Sequence, residues 1–408
     1  MASSRSHQPR RITRREFLKL AAAGAVGALA GCCPTPQTSA DIALVGGALI
    51  DGTGADPLPD AVVTIREGRI AAVGPRAQID VPAGVRVIDV DGATILPGFI
   101  NAHVHAAYDE DTLKAWAQGG VTTVRDMGAH GPYSAKLFDF RDQVLANPRC
   151  ARLIAVGSFV NVPGGYPIVH WGGHAVTIDS PEDARQKVHQ VIDDGANVIK
   201  TAIESGISFG QSGWPILSPA EAAAIVEAAH ERDTPVSVHV TNSHDLKRAL
   251  DAGMDDIAHM VTDRVPDELI ARMAESNITW VPTLELWQGV SRNYQVSYGR
   301  STISNLGRFV EAGGKVALGT DYAGAPNIDF DLGMPIHEIE WMQEAGMTAM
   351  QIIVAATKHA AHVCNLGQET GTLEVSKAAD ILVVDGDPLE DIQALTKTKM
   401  VFREGVSV

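Results

Sequence analysis

His103 and His105 close the run Leu96-Pro97-Gly98-Phe99-Ile100-Asn101-Ala102. Side chains alternate along a strand, so a spacing of two aims both imidazoles to one side, as a divalent metal site needs. A His-x-His pair alone is weak ground, because strand-end histidines that merely satisfy a hydrogen bond are common. Further groups of the same chemistry end later apolar runs: His239, His259, and Asp321 in Gly319-Thr320-Asp321. Lys200 ends Asn197-Val198-Ile199-Lys200. A bare ammonium beside metal ions would suffer like-charge repulsion. A neutral amine there could take up CO2, and the resulting carbamate could bridge two divalent ions as a Glu would. The plainer reading pairs Lys200 with an acid such as Glu204.

These groups meet only if a fold gathers the strand ends. Strand-like runs cover Thr94 to Ala102, Val121 to Arg125, Leu153 to Val156, Asn197 to Thr201, Val236 to Val240, Asp256 to Met260, Ile278 to Thr283 and Lys315 to Gly319. Helical patterns such as Pro219 to Arg232 and Pro266 to Ser276 lie between them. Eight strand-helix alternations predict an α/β chain folded as a (β/α)8 TIM barrel, whose chemistry sits at the strand C-terminal ends. A doubly wound open sheet fits the alternation equally, but no G-x-G-x-x-G fingerprint or phosphate loop follows the first strands.

Ile42 to Ile50, Ala61 to Val73 and Val85 to Val90 read as strands outside that alternation, as do Asp380 to Asp385 and Met400 to Val408. Arg66-Glu67-Gly68 is echoed by Arg403-Glu404-Gly405, which suggests a small β-sandwich domain built from both chain ends. The expected division is a leader over 1–31, a linker over 32–40, the small β domain over 41–93 and 366–408, and the barrel over 94–365.

The leader has a basic start, with Arg5, Arg10, Arg11, Arg14 and Arg15, followed by the Ala/Gly-rich run Leu20 to Ala30. Thr13-Arg14-Arg15-Glu16-Phe17-Leu18-Lys19 resembles a twin-arginine export signal, and Leu29-Ala30-Gly31-Cys32 a lipoprotein cleavage box with Cys32 as lipid anchor. The expectation is an exported protein held at the extracytoplasmic membrane surface, in the periplasm or at the cell surface, touching the membrane only through Cys32. The chain has 408 residues, 45% of them apolar, and a net charge of -16 without a basic stripe, which excludes nucleic acid as a partner. A small-molecule substrate is expected, and a homo-oligomer is left open. Three further cysteines, Cys33, Cys150 and Cys364, show no disulfide or zinc-knuckle spacing.

Strand-end His-x-His, Lys, His, His and Asp, flanked by Leu-Pro-Gly-Phe-Ile and Gly-Thr-Asp, resemble the metal-dependent amidohydrolase superfamily over Asp41 to Val408. Gly119-Gly120-Val121-Thr122-Thr123-Val124-Arg125-Asp126 and Val281-Pro282-Thr283 are most similar to its imidazolonepropionase-like and prolidase-like branch. The resemblance implies one ion on His103, His105 and Asp321, a second on His239 and His259, and carboxylated Lys200 with a hydroxide between them. Zn2+ suits imidazole and carboxylate ligands. It further implies that Asp321 takes a proton from the attacking water and passes it to a departing amine during cleavage of a carbon-nitrogen bond in a non-peptide amide or small dipeptide-like substrate. Gly172-Gly173-His174 stands where prolidase-like relatives show Gly-Gly-His, so His174 is expected to face the substrate. Relatives tend to show Asn at the start of the last helix, where this chain has His359-Ala360.

Arg125, Tyr166, His170, Trp214 and Tyr322 stand in the long strand-to-helix loops as weaker substrate-binding candidates. Arg125 could grip a carboxylate with both arms, or lock into a structural salt bridge with Asp126 or another acid. His230, His359 and His362 read as packing or surface groups, and Ser208 in Gly206-Ile207-Ser208-Phe209-Gly210 as a loop residue, since the nucleophile elbow needs a strand directly before it and a helix directly after. The same centre could serve an Xaa-Pro dipeptidase or carboxypeptidase, a lactonase or a phosphotriesterase. From another class, a non-catalytic surface binding lipoprotein would be free to lose ligand positions, yet all six are present.

Overall fold

The computed structural model describes residues 41–128, 133–276 and 278–408. The expected leader, the linker over 32–40, Cys32 and Cys33 lie outside the described residues.

The first five strands are β1 (Ile42–Leu49), β2 (Leu58–Arg66), β3 (Arg69–Pro75), β4 (Arg86–Asp89) and β5 (Thr94–Pro97). They join β16 (Ile381–Val384), β17 (Thr398–Arg403) and β18 (Val406–Ser407) in one eight-stranded sheet of order β18-β17-β16-β5-β1-β2-β3, with β4 also on β1. The two chain ends thus share one hydrogen-bonded sheet rather than the two facing sheets of the expected sandwich, because β5 pairs parallel with β1 on one side and antiparallel with β16 on the other. Its apolar face packs Leu44, Val63, Ile65, Ile95, Ile381 and Phe402 together. The two Arg-Glu-Gly turns are matched hairpin ends: φ is 50° and 76° at Glu67 and Gly68, 49° and 73° at Glu404 and Gly405, the left-handed pair that a two-residue turn requires.

The expected strand Thr94 to Ala102 is two strands. At Gly98 the chain leaves the end-built sheet, where its N–H donates to Asp380 O at 2.9 Å, and enters β6 (Phe99–Val104). A three-stranded parallel sheet follows, β6 with β7 (Val121–Asp126) and β8 (Arg152–Ala155). A second parallel sheet takes β9 (Phe159–Asn161), β10 (Ala175–Thr177), β11 (Ile199–Ala202), β12 (Val236–His239), β13 (Asp256–Ala258), β14 (Thr279–Val281) and β15 (Lys315–Val316) in the order β10-β9-β11-β12-β13-β14-β15. Backbone hydrogen bonds link both edge strands of the three-stranded sheet to the second one. Ala102 N donates to Leu318 O at 2.8 Å on one side, and Asn197 N to Ala155 O at 3.0 Å on the other.

Every residue of β6, β7, β8, β11, β12, β13 and β14 is buried, the near-continuous burial expected of parallel strands covered on both faces. The covering helices start where capping chemistry places them. Ser218 and Glu221 form a reciprocal capping box before Pro219–His230, with Pro at the first turn, and Asn242 accepts from Asp245 N before Ser243–Ala252. The near-C-terminal helix does not begin at His359-Ala360. A π-turn over Ala355–His359 links Ala349–Val354 to Ala360–Val363, and His359 Nδ1 lies 3.0 Å from Val316 O. Among the described residues, Cys150 and Cys364 are buried free thiols, and no helix is long and apolar enough to cross a membrane.

Candidate metal centre

His103 is the penultimate residue of β6, and His105 follows the strand's end. His103 O accepts from Asp321 N at 2.9 Å, and His105 N donates to Tyr322 O at 2.8 Å, so the backbone itself holds Asp321 against the two histidines. The approach is close enough to need Gly319, where a Cβ would lie 2.4 Å from Val281 Cγ1 and 2.9 Å from His103 Cβ. Asp321 and His259 take left-handed φ values of 63° and 74°, uncommon for non-glycine residues and concentrated at functional sites.

Asp321 Oδ1 stands 3.1 Å from His103 Nε2 and 3.0 Å from His105 Nε2. His105 Nδ1 lies 3.1 Å from Gly128 O, an acceptor for a proton on that nitrogen, which turns Nε2 toward Asp321. The rings of His103 and His259 are 4.5 Å apart, and those of His259 and His239 4.7 Å. His259 Nδ1 is fixed by Thr283 Oγ1 at 3.1 Å.

Both ring nitrogens of His103 and of His239, Lys200 Nζ and Asp321 Oδ1 are buried without a hydrogen-bond partner. So many unmatched polar atoms in one place would be costly in a purely structural core, and each is a potential metal donor. Charge states agree. Burial first, then Lys200, holds His103 and His239 well below the ordinary histidine value, and burial does the same for His259. Burial also pushes Asp321 upward, but His259, His105 and Lys200 outweigh it and keep the carboxyl below its usual range. Burial alone would lower His105, yet the contact and charge of Asp321 raise it. Lys200, completely buried, is brought down to about 7, chiefly by burial. Neutral imidazoles at His103, His239 and His259, an ionised carboxylate and an amine that sheds its proton are the forms that bind divalent ions or CO2, whereas an ion at His105 would have to displace the proton that Asp321 favours there.

Lys200 is the second residue of β11 rather than its last, and it does not pair with Glu204. Glu204 instead accepts from Gly206 N at 2.8 Å and from the Thr241 hydroxyl, 3.8 Å from His239 Nε2. Three positioning groups went unmarked in the sequence. Asn101 donates to Thr320 Oγ1 at 2.9 Å and accepts from His103 N and Thr320 N, each at 3.2 Å, tying β6 to the Gly-Thr-Asp segment. Asp126 accepts from Ala107 N at 2.9 Å and Gly128 N at 3.0 Å, shaping the turn that meets His105. Thr283 orients His259. An amide inside the otherwise apolar run Phe99-Ile100-Asn101-Ala102 was the available signal for the first, and an acid ending a strand for the second.

The substrate candidates separate. Tyr166 lies flat against His239, ring centroids 3.9 Å apart and planes 13° apart. His170 packs on Phe209 at 4.2 Å and on Trp214 at 5.1 Å, and Phe209 also stacks near Tyr166. Tyr322 meets Trp116 edge-on at 5.2 Å. His174 is exposed just before β10. Arg125 has no route to a substrate. Its guanidinium is fully buried on Asp256, at 2.8 and 3.2 Å, and on the carbonyls of Ala102 and Val363, at 2.6 and 2.9 Å, so of its two readings the salt bridge is the one formed. His230 pairs with Asp255 at the surface, 2.9 Å away, and Ser208 lies in a short 3-10 turn donating to Thr241 O at 3.0 Å, as a loop residue should.

Comparison with known proteins gives a consistent picture. Residues 94–408 match the description "Amidohydrolase family". An ochratoxinase from Aspergillus niger is 26% identical, covering 87% of this chain and 83% of its own. An imidazolonepropionase from Geobacillus sp. (strain WCH70) is 24% identical over 79% of this chain and 83% of its own. A solved Xaa-Pro dipeptidase with methionine in its active site shares the fold, with a TM-score of 0.77 and 24% identity over 90% of this chain and 99% of that one.

Proposed function

The chain belongs to the amidohydrolase family, and from that premise we propose how its residues divide the work of the reaction. It is a metal-dependent hydrolase acting on carbon-nitrogen bonds. The observation that carries the residue assignment is the meeting of His103 Nε2, His105 Nε2 and Asp321 Oδ1 within 4.8 Å of one another, with unpartnered His239 and Lys200 in the same buried cluster.

His103, His105 and Asp321 would hold one divalent ion and His239 with His259 the other, with Zn2+ favoured by this imidazole and carboxylate set. Lys200 would bridge them as a carbamate: the neutral Nζ bonds to the carbon of CO2 and one proton leaves. The low-lying Lys200 amine supports this. When bound, the ions supply Lewis acidity toward the substrate carbonyl and bring water toward a pKa of about 7. Asp321 accepts a proton from the attacking water and delivers it to the departing nitrogen as the carbon-nitrogen bond breaks. Asn101 and Gly319 keep that carboxylate registered against His103, while Tyr166, His170, Phe209 and Trp214 offer an aromatic wall for an apolar part of the substrate. Closure of the two parallel sheets into one (β/α)8 barrel belongs to this reading, and the hydrogen bonds at both margins support it. So does export with lipid anchoring at Cys32, supported by the sequence of the leader and tested by loss of acyl labelling in Cys32→Ser.

The test is release of free amine from N-acyl amino acids and proline dipeptides by protein reconstituted with Zn2+, with lactones and phosphotriesters run in parallel and Asp321→Asn as control. Turnover of an amide that vanishes in the control supports the assignment. Turnover confined to esters or phosphotriesters overturns it.

A further inference from the structure

Glu285, at the start of the helix Leu284–Tyr294, takes no part in the cluster assigned above. Only 5% exposed, it accepts from Asp331 N at 2.6 Å through Oε1, while Oε2 is buried with no partner. A half-satisfied buried carboxylate needs a counter-charge or a proton. Its surroundings bring more negative charge. Glu338 accepts from Leu284 N at 2.9 Å and Glu285 N at 2.7 Å, and Asp331 holds His337 through its backbone N at 2.8 Å and its Nδ1 at 3.0 Å. Burial, followed by the charges of Asp331, Glu338 and Asp329, pushes the Glu285 carboxyl up to about 9.

Glu285 and His337 border a cleft of about 340 Å³, along with Arg292, Asn327 and Asp329. No ion pair joins Arg292 to these carboxylates among the described residues, so no side-chain cation neutralises Glu285. Glu285, Asp331 and His337 each offer one ligand atom within 4.8 Å of the other two.

We propose that Glu285, Asp331 and His337 form a second cation site, separate in its residues from the central cluster, that takes a first-row divalent ion such as Mn2+ or Zn2+. Two carboxylates and one imidazole suit that class better than Ca2+ or Mg2+, which prefer all-oxygen shells. The ion would displace the proton that burial keeps on Glu285, and the unpartnered Glu285 oxygen would gain a partner. The three ligands come from the helix Leu284–Tyr294, from the segment that begins at Asp321, and from the start of the helix Ile336–Glu344. An ion between them would clip that segment to the helices and steady the catalytic carboxylate at its other end.

Equilibrium dialysis of the full-length protein against Mn2+, with metal counted by mass spectrometry, tests this. His337→Ala removes a ligand whose side chain is 60% exposed, and Glu285→Gln keeps the hydrogen bond from Asp331 N while removing the charge, so both leave the fold readable by circular dichroism. Wild type is expected to bind one equivalent more than either variant. A His103→Ala/His105→Ala protein is expected to retain that equivalent and to lose it when His337→Ala is added, which keeps the result independent of the central centre. Equal counts with and without His337 and the Glu285 charge would overturn the proposal and leave Glu285 a buried neutral acid.

Discussion

Arg125 on β7 and Asp256 on β13 form a forked ion pair inside the parallel sheets, 2.8 Å and 3.2 Å long, with neither side chain exposed. Ser237 Oγ donates to the same carboxylate at 2.6 Å, and Arg125 Nε holds Ala102 O one residue before His103. The pair therefore fixes the floor beneath the cluster of His103, His105 and Asp321. Removing one member of a buried pair strands the other charge, so Arg125→Met should cost about 3–5 kcal/mol of stability. Denaturant unfolding checks the cost. An Arg125→Met protein of near wild-type stability with a raised KM for carboxylate-bearing substrates would mean instead that the guanidinium reaches the substrate.

Asn101 makes the same point with hydrogen bonds. Its side chain ties the His103 N–H to the Thr320 N–H and hydroxyl, next to Asp321, beside the backbone bond from Thr320 N to His103 O at 3.3 Å. Asn101→Ala should lower metal affinity by about 10–100-fold, the scale of outer-shell losses, while leaving every ligand in place. Competition against a chelator reads this directly, and unchanged affinity would remove Asn101 from the positioning set.

Two tasks are proposed for Asp321, and leaving-group chemistry separates them. Asp321→Asn should reduce turnover by about 10²–10⁴-fold for alkylamides, whose departing nitrogen needs a proton. For nitroanilides, which leave with less help, the loss should be smaller. Metal content measured on the same samples controls for the ligand role. Equal losses for both substrates at full metal occupancy would assign Asp321 to binding alone.

Much of this was legible in the chain because buried parallel strands are short, apolar and bounded. Six of the seven fully buried ones read directly, as did the Arg-Glu-Gly hairpins, whose turn chemistry is local. The division at Gly98 was not legible, since Thr94 to Pro97 and Phe99 to Val104 are equally apolar and only their partners differ. Nor was the π-turn through His359, which is set by contact with Val316. The candidate cluster was visible in the spacing of His103, His105, Lys200, His239, His259 and Asp321, which the fold gathers as buried, in part unpartnered groups. The aim of Arg125 was not, because a guanidinium at a strand end reaches a substrate or a neighbouring strand according to which acid stands opposite. Asp256, six strands' order away in sequence, decided it.

Lys200 permits a test that no other residue does. Its amine, completely buried and brought to about 7, is protonated below that pH and neutral above it, and only the neutral form attacks CO2. Metal-free protein given Zn2+ should therefore regain activity poorly in CO2-depleted buffer and well with added bicarbonate. The bicarbonate-dependent fraction should rise as pH increases through about 7 and level off above it. Protein prepared with ¹³C-bicarbonate should show one carbamate carbon resonance, absent in Lys200→Ala. Lys200→Glu, which supplies a carboxylate without CO2, should lose the bicarbonate dependence while retaining more metal than Lys200→Ala. Reactivation of the wild type that is indifferent to both CO2 and pH would exclude the carbamate and leave Lys200 a buried neutral amine beside the ions.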